Sequence, residues 1–320
     1  MEIFVTGATG FVGRVLCERL LSDGHSVRAV RRRHSNVSSL HDEYSQIKWF
    51  EIDDLTQDVA WETVMNGCDC VIHLAARVHL MKDNASDPLS EFRAVNCMAT
   101  LQLARAAAKV GVRRFLFLSS IKVNGESGIF SEKDTPAPEG GYAISKWEAE
   151  QGLGEIAAET GMDLVILRPP LVYGPGVGAN FLRLMKGVDH HFPFPFGRVD
   201  NKRSFVYVEN LVDAMVYCIF VNRLPLSTYL VSDGERLSTP ELIQKLGMHL
   251  GCSPCLLPVP ISLMNGIAAC LGKKKEVGRL LGSLAVDDAA IREDLGWVAP
   301  FSIDEGLKKT IAWYRQKNKK

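Results

Sequence analysis

The apolar run Ile3-Phe4-Val5 stops at a glycine-rich turn, and Val12, Val15, Leu16, Leu20 and Leu21 then recur at helical spacing until Gly24. That pattern predicts a strand, a turn and a helix. Val27 to Val30, Ile47 to Ile52, Cys70 to Leu74, Phe115 to Leu118 and Leu164 to Leu167 are further short apolar segments. Between them, helical patterns run from about Pro88 to Val110 and from Tyr142 to Thr160. Strands apolar throughout, rather than at every second residue, are buried on both faces, and their alternation with helices builds a parallel sheet. The expectation is an α/β protein, with a doubly wound parallel sheet (a Rossmann domain) over residues 1–168.

Beyond Arg168 the rhythm breaks. Pro169, Pro170, Pro175, Pro193 and Pro195 stand among several glycines, around a short helix near Phe181 to Lys186. A smaller C-terminal lobe that binds substrate is expected over most of residues 169–320, with the chain returning to the first domain around 204–232. There is no internal repeat, and the only biased tract is the basic end Lys317-Asn318-Lys319-Lys320.

Composition narrows the classes of partner. Lysine plus arginine number 37 and aspartate plus glutamate 37, so no global field recommends nucleic acid or an anionic membrane. Val259 to Leu271 is the most apolar late segment, but it contains Asn265 and is short of the roughly 20 residues that span a bilayer. No membrane insertion is expected. The eight cysteines lie mostly in apolar stretches and the first strand begins at Met1, with no signal sequence before it, which predicts a reducing, cytoplasmic setting. Cys252-Ser-Pro-Cys255 has the spacing of half a zinc site, yet no second Cys or His pair follows at a ligand-like interval, so no metal is expected. A homodimer through the long helices stays open.

The ligand must therefore occupy a local site. Gly7-Ala8-Thr9-Gly10-Phe11-Val12-Gly13 directly follows the first strand and opens the first helix. Without side chains the backbone can approach a pyrophosphate, whose charge is stabilised by unpaired N–H groups and the positive end of the helix dipole. The second strand should end near the adenine ribose, where an acidic residue would hold the 2′-hydroxyl of NAD. This chain reads Val30-Arg31-Arg32-Arg33 there. A guanidinium can bind a 2′-phosphate, so the expectation is NADP(H), with Arg31 and Arg32 as contacts and NAD(H) still possible. Asp54, with Leu55, is an adenine-side candidate; a helix cap is its plainer role.

Tyr142 and Lys146 are four residues apart at the start of a predicted helix and so share one face. An ammonium beside a phenol stabilises the phenolate and brings its pKa toward the working range. Ser120 lies at the C-terminal end of the Phe115 to Leu118 strand, where its hydroxyl can hold a substrate oxygen. Together the three predict proton transfer beside a nicotinamide.

At these residues the chain resembles the extended short-chain dehydrogenase/reductase family, in its branch of nucleotide-sugar epimerases, dehydratases and 4-ketoreductases. The resemblance covers Gly7, Gly10 and Gly13, Asp54-Leu55, His73-Leu74-Ala75-Ala76, Asn96 before Thr100, Ser119-Ser120, Tyr142 with Lys146, Arg168-Pro169, Tyr173-Gly174-Pro175, and Arg203 before Val208-Glu209-Asn210-Leu211. It implies that Tyr142 is the acid/base, that Ser120 polarises a carbonyl, and that Lys146 also binds the nicotinamide ribose. It further implies cofactor contacts from Leu74, Ala75, Ala76, Asn96 and Pro169, and a substrate diphosphate held by Asn180 and Arg203. The plainer roles are a helix cap for Asn180 and a surface ion pair for Arg203.

Three departures qualify it. Arg31 stands where the sugar epimerases of the family usually carry an acidic residue. Ser119-Ser120-Ile121-Lys122-Val123-Asn124-Gly125 adds a cation and an amide near the substrate, making Lys122 a candidate sugar or phosphate contact; a solvated surface lysine is its plainer role. Arg203-Ser204-Phe205 lacks the acidic residue that many relatives place after the arginine. The resulting expectation is an NADP(H)-preferring oxidoreductase that reduces the 4-keto group of a UDP- or dTDP-linked (6-deoxy) sugar in surface-polysaccharide precursor synthesis. Three alternatives stand beside it: a 4-epimerase with resident NAD, a reductase of a non-nucleotide ketone, and a non-catalytic cofactor sensor.

Overall fold

In the computed structural model, residues 1–33, 45–78, 87–222, 224, 227–270, 272 and 274–318 are described. Lys319 and Lys320 of the basic end and Leu271 of the apolar segment lie outside the described residues.

The strands in chain order are β1 (Glu2–Thr6), β2 (Ser26–Arg32), β3 (Lys48–Ile52), β4 (Cys70–His73), β5 (Arg114–Leu118), β6 (Gly128–Phe130), β7 (Asp163–Arg168), β8 (Leu171–Tyr173), β9 (Arg203–Tyr207), β10 (Thr228–Leu230), β11 (Arg236–Leu237) and β12 (Leu284–Val286). Seven of them form one sheet in the order β3-β2-β1-β4-β5-β7-β10, parallel throughout. The strand order reverses between β1 and β4, which opens a crevice at their carboxyl ends.

Helices α1 (Phe11–Ser22), α2 (Trp61–Met65), α3 (Pro88–Arg93), α4 (Ala99–Lys109), α5 (Gly140–Thr160), α6 (Ala179–Asp189) and α7 (Val208–Phe220) follow. Alternate strand residues face opposite layers. Ile3, Val5, Ile72 and Leu116 pack with Leu16 and Leu20 of α1 and Leu211 and Met215 of α7. Phe4, Val71, Phe115 and Phe117 pack instead with Leu103 of α4 and Leu153 and Ile156 of α5. Both faces of the sheet are therefore dry, which is why its strands read as unbroken apolar runs.

The long helix expected over 88–110 is interrupted: Ala94–Met98 wind as a π-helical turn between α3 and α4. Asn96 sits in that turn with its side chain fully buried, and its own carbonyl accepts from the Thr100 hydroxyl at 2.9 Å. A polar side chain that takes part in the ladder widens it locally, and the periodicity of apolar residues carries no mark of this.

The remaining helices are α8 (Thr239–Leu250), α9 (Ile261–Cys270), α10 (Lys274–Leu281), α11 (Ala289–Leu295) and α12 (Ile303–Asn318). A second core joins Phe181 and Met185 of α6, Phe205 and Tyr207 of β9, Leu242 and Leu246 of α8, and Leu307 and Ile311 of α12. Its small sheet runs β11-β9-β12-β6, with β8 beside β9. Residue 168 is crossed in both directions: β6 joins the small sheet, and β10 closes the edge of the large one. Among the described residues, no helix is long and apolar enough to cross a membrane.

Candidate active site

The turn after β1 is built for close approach. Gly7 has φ +71°, and a Cβ there would lie 2.7 Å from the Ala75 nitrogen and 2.9 Å from the Leu74 carbonyl carbon. At Gly13 a Cβ would meet the Gly7 oxygen at 2.1 Å, so the first turn of α1 lies directly against the loop. Gly10 is the N-cap of α1 and supplies no capping side chain. The first amides of the helix, at Phe11, Val12 and Gly13, thus form an anion-binding end without a competing side-chain acceptor.

A groove of about 460 Å³ opens beside this turn. Gly7, Thr9, Gly10, Arg31, Arg32, Asp54, Leu55, Leu74, Ala75 and Ala76 line it, with Val30, Ile52, Arg77, Val78 and Val95. The glycine turn, the end of β2 and the loop after β4 thus meet in one place. Size and lining both fit the adenosine and diphosphate part of a dinucleotide.

The basic end of β2 differs from the simple expectation. Register pairs Arg31 with Glu51 of β3, and its guanidinium donates to the Glu51 carboxylate at 2.8 and 3.2 Å while lying 5.9 Å from the Trp49 ring centroid. Arg31 carries a carboxylate partner from a strand 20 residues away, which a reading of β2 alone does not reveal. Asp54 accepts from the Thr56 backbone at 2.9 Å and the Thr56 hydroxyl at 2.7 Å. The Thr56 amide, with the hydroxyl and the Arg32 charge, holds this carboxyl below the usual range. Asp54 therefore closes a turn at the groove wall, whereas α2 starts seven residues later.

Across the crevice, α5 presents Tyr142 and Lys146. Ser120 caps the 3₁₀ turn Ile121–Val123 at the end of β5, accepting from the Lys122 amide at 3.3 Å. Its side chain also hydrogen-bonds with Tyr142. The Lys146 ammonium donates to the Leu118 carbonyl at 2.8 Å and lies 4.2 Å from the Phe117 ring centroid. The expected lowering of the Tyr142 pKa by Lys146 is not what acts on this hydroxyl; burial and the Ser120 bond are. Burial pushes the Tyr142 hydroxyl up to about 12, against the lowering bond from Ser120. Burial likewise brings Lys146 down to about 7, opposed by the charge of Glu150. A desolvated ammonium and a desolvated phenol both favour their neutral forms.

His73 ends β4 behind this pair. Its ring bonds the Thr6 hydroxyl at 2.6 Å and the Thr100 hydroxyl at 2.9 Å and stacks on Phe117. Burial, with the Lys146 charge, lowers it to about 3, so it is neutral at physiological pH. Asn96 donates to the Arg77 carbonyl at 3.0 Å and accepts from the Arg77 amide at 2.8 Å. It also donates to Ser145 at 3.0 Å, and Ser145 in turn bonds the Tyr142 carbonyl. Its amide ties the groove wall to α5 and does not line the groove itself. The Pro169 carbonyl accepts from the Ile121 amide at 3.0 Å, which places Pro169 beside the Ser120 turn.

The substrate candidates are only partly gathered. Arg203 donates to the Arg279 carbonyl at 2.8 Å and the Gly282 carbonyl at 3.4 Å, not to a carboxylate. Lys122 pairs with Glu126 at 3.2 Å, and Arg279 reaches the same carboxylate at 3.2 Å. Arg279 and Glu126 went unnoticed in the sequence because only folding brings α10 over the Ser120 loop. Asn180 stands apart at the exposed start of α6, accepting from Arg183 at 3.5 Å.

A doubly wound sheet with a glycine turn at its switch point, facing a Ser-Tyr-Lys set, defines a dehydrogenase-type enzyme of the nicotinamide class. The chain belongs to the NAD dependent epimerase/dehydratase family, whose sequence model matches residues 3–223. It is 40% identical to the UDP-glucose 4-epimerase of Vibrio cholerae, over 99% of this chain and 96% of that one. It is 27% identical to the N-acetyl-alpha-D-glucosaminyl-diphospho-ditrans,octacis-undecaprenol 4-epimerase of Escherichia coli O157:H7, over 98% and 95%. Among solved structures, MoeE5 in complex with UDP-glucuronic acid and NAD superposes with a TM-score of 0.77 at 26% identity, covering 99% of this chain and all of that one. The UDP-glucuronic acid 4-epimerase of Bacillus cereus shares the fold, with a TM-score of 0.80 at 24% identity over 100% and 98%.

Proposed function

We propose that the chain is a nucleotide-sugar 4-epimerase that works with NAD on a UDP-linked hexose. The observation that carries this reading is the 40% identity, over nearly the whole chain, to a UDP-glucose 4-epimerase. The carboxylate of Glu51 on Arg31 supports it, because that negative charge beside the end of β2 opposes a 2′-phosphate. A nicotinamide bound in the crevice would exchange hydride with C4 of the sugar. Tyr142 removes the proton of the 4-hydroxyl and later returns it, while Ser120 hydrogen-bonds the same oxygen. Lys146, in its protonated form, is the cation on the same helix that would stabilise a Tyr142 phenolate during turnover. Arg203, and Arg279 and Lys122 beside their shared Glu126 partner, are candidate cations for a diphosphate, and Asn180 is a further candidate.

One observation favours a second reading, net reduction of a 4-keto sugar by NADPH. Arg31 and Arg32 both line the groove, and β2 ends in arginine where a ribose-binding carboxylate would stand. A reductase must exchange its cofactor at every turnover, whereas an epimerase retains it. Protein purified without added nucleotide is expected to carry NAD and to interconvert UDP-glucose and UDP-galactose with no external cofactor, followed by proton NMR. Protein free of nicotinamide that oxidises NADPH stoichiometrically with a UDP-linked 4-keto-6-deoxy sugar overturns the epimerase reading in favour of the reductase. The substitution Arg31→Ala separates the same readings: an epimerase loses little NAD affinity, and a reductase loses NADPH affinity by about tenfold or more with NADH nearly unchanged.

A further inference from the structure

Behind the Ser-Tyr-Lys set lies an ion pair that the mechanism above does not use. Glu150 is one helical turn beyond Lys146 on α5, and its side chain is 2% exposed; Arg168, the last residue of β7, is 5% exposed. The Arg168 Nε donates to the two carboxylate oxygens at 3.0 and 3.2 Å, and its Nη2 donates to Oε2. Its Nη1 donates to Asn124 Oδ1 at 2.9 Å, and its guanidinium packs over Trp147. The Ser119 hydroxyl donates to the same carboxylate, at Oε1.

This arrangement reaches all three segments that build the site. Ser119 adjoins Ser120, Lys146 shares the face of α5 with Glu150, and Arg168 adjoins Pro169. We propose that Glu150 is a positioning residue: its carboxylate, oriented by Arg168, sets the Ser120 turn against α5 and keeps a fixed negative charge behind the Lys146 ammonium. Among the described residues, the charged and titratable groups around that ammonium are few. Glu150 faces it from its own helix, His73 from β4, Tyr142 from one turn earlier on α5, and Arg168 from β7 behind Glu150. His73 is neutral through burial, and Tyr142 is held in its neutral form. Glu150 is thus the group that opposes loss of the Lys146 proton, and it acts in that direction.

Lys146 is cationic below a midpoint near neutrality, and removing the negative charge behind it moves that midpoint down. A fraction of the ammonium that assists Tyr142 is then lost at neutral pH.

The test uses the double variant Glu150→Gln, Arg168→Met, which removes both charges and leaves no unpaired ion in the core. Lys146 is followed by ¹³C NMR of the full chain labelled at lysine Cε, with Lys146→Met for assignment. The expected result is a downward shift of its midpoint by about half a unit or more. The alkaline limb of kcat moves by the same amount, with KM nearly unchanged. An unchanged Lys146 midpoint and an unchanged limb overturn the proposal and leave the pair a structural one. Should the double variant fold poorly, Glu150→Gln alone is read by the same resonance and with the same two outcomes. The role in catalysis rests on the reading of Tyr142 and Lys146 as the proton-transfer pair. The Lys146 titration needs no turnover, so a protein inactive on nucleotide sugars still decides whether Glu150 holds the ammonium.

Discussion

Replacing Tyr142 with phenylalanine lowers kcat by roughly 10²- to 10⁴-fold, the range that a positioned acid/base contributes. Only the hydroxyl is lost. The ring keeps its edge contact with Phe92, with centroids 6.3 Å apart, and the helical turn toward Lys146 is unchanged. Packing and cofactor affinity should therefore stay near those of the parent protein. The effect appears in kcat and kcat/KM together, as for an interaction made in the transition state. Ser120→Ala is milder, since a hydroxyl that hydrogen-bonds the oxyanion contributes about 10²- to 10³-fold. Turnover by Tyr142→Phe within a few-fold of the parent, with nicotinamide still bound, would remove Tyr142 from the proton-transfer role.

The second large effect is on stability. Arg168→Ala removes one member of a buried pair and leaves the Glu150 carboxylate in the core with Ser119 as its remaining partner. Breaking such a pair from one side costs about 3–5 kcal/mol, most of it the burden of an uncompensated buried charge. The packing of the guanidinium over Trp147 and its bond to Asn124 are lost as well. Urea unfolding followed by far-UV circular dichroism should show this loss, and the thermal midpoint should fall by on the order of 10 °C. The pair Glu150→Gln, Arg168→Met should recover most of it, because neither residue then carries a charge into the core. A loss under about 1 kcal/mol for Arg168→Ala would mean that water reaches Glu150 and that the pair behaves as a surface one.

The two effects differ in how far the sequence reveals them. Tyr142 and Lys146 are local: four residues on one helix share a face whatever surrounds that helix, so spacing alone places them on the same side. The glycine turn is equally local, since β1, the turn and α1 are continuous in the chain. Glu150 shares the face of Lys146 too, yet nothing in α5 shows that an arginine 18 residues on will reach it. Its partner comes from β7, and the pairing of β7 with β5 is decided by the sheet.

The sequence by itself determined the buried parallel sheet, the glycine turn after β1 and the placing of Tyr142 and Lys146 four residues apart on one helix. Each depends on hydrophobic periodicity or on neighbours within one or two helical turns, where backbone geometry leaves little freedom. Only the tertiary structure decided the partner of Arg31, which follows from the register of β2 against β3. The π-helical turn at Asn96 was decided there too, since both groups of its amide bond Arg77 across the groove wall. So was the placing of Arg279 over the Ser120 loop, which needs β12 paired with both β6 and β9. The balance of the Tyr142 and Lys146 charges belongs with these. Spacing set the two residues on one helix, but the water excluded by β4, β5 and α5 together moves both groups toward their neutral forms, and desolvation is a property of the packed molecule rather than of any segment of the chain.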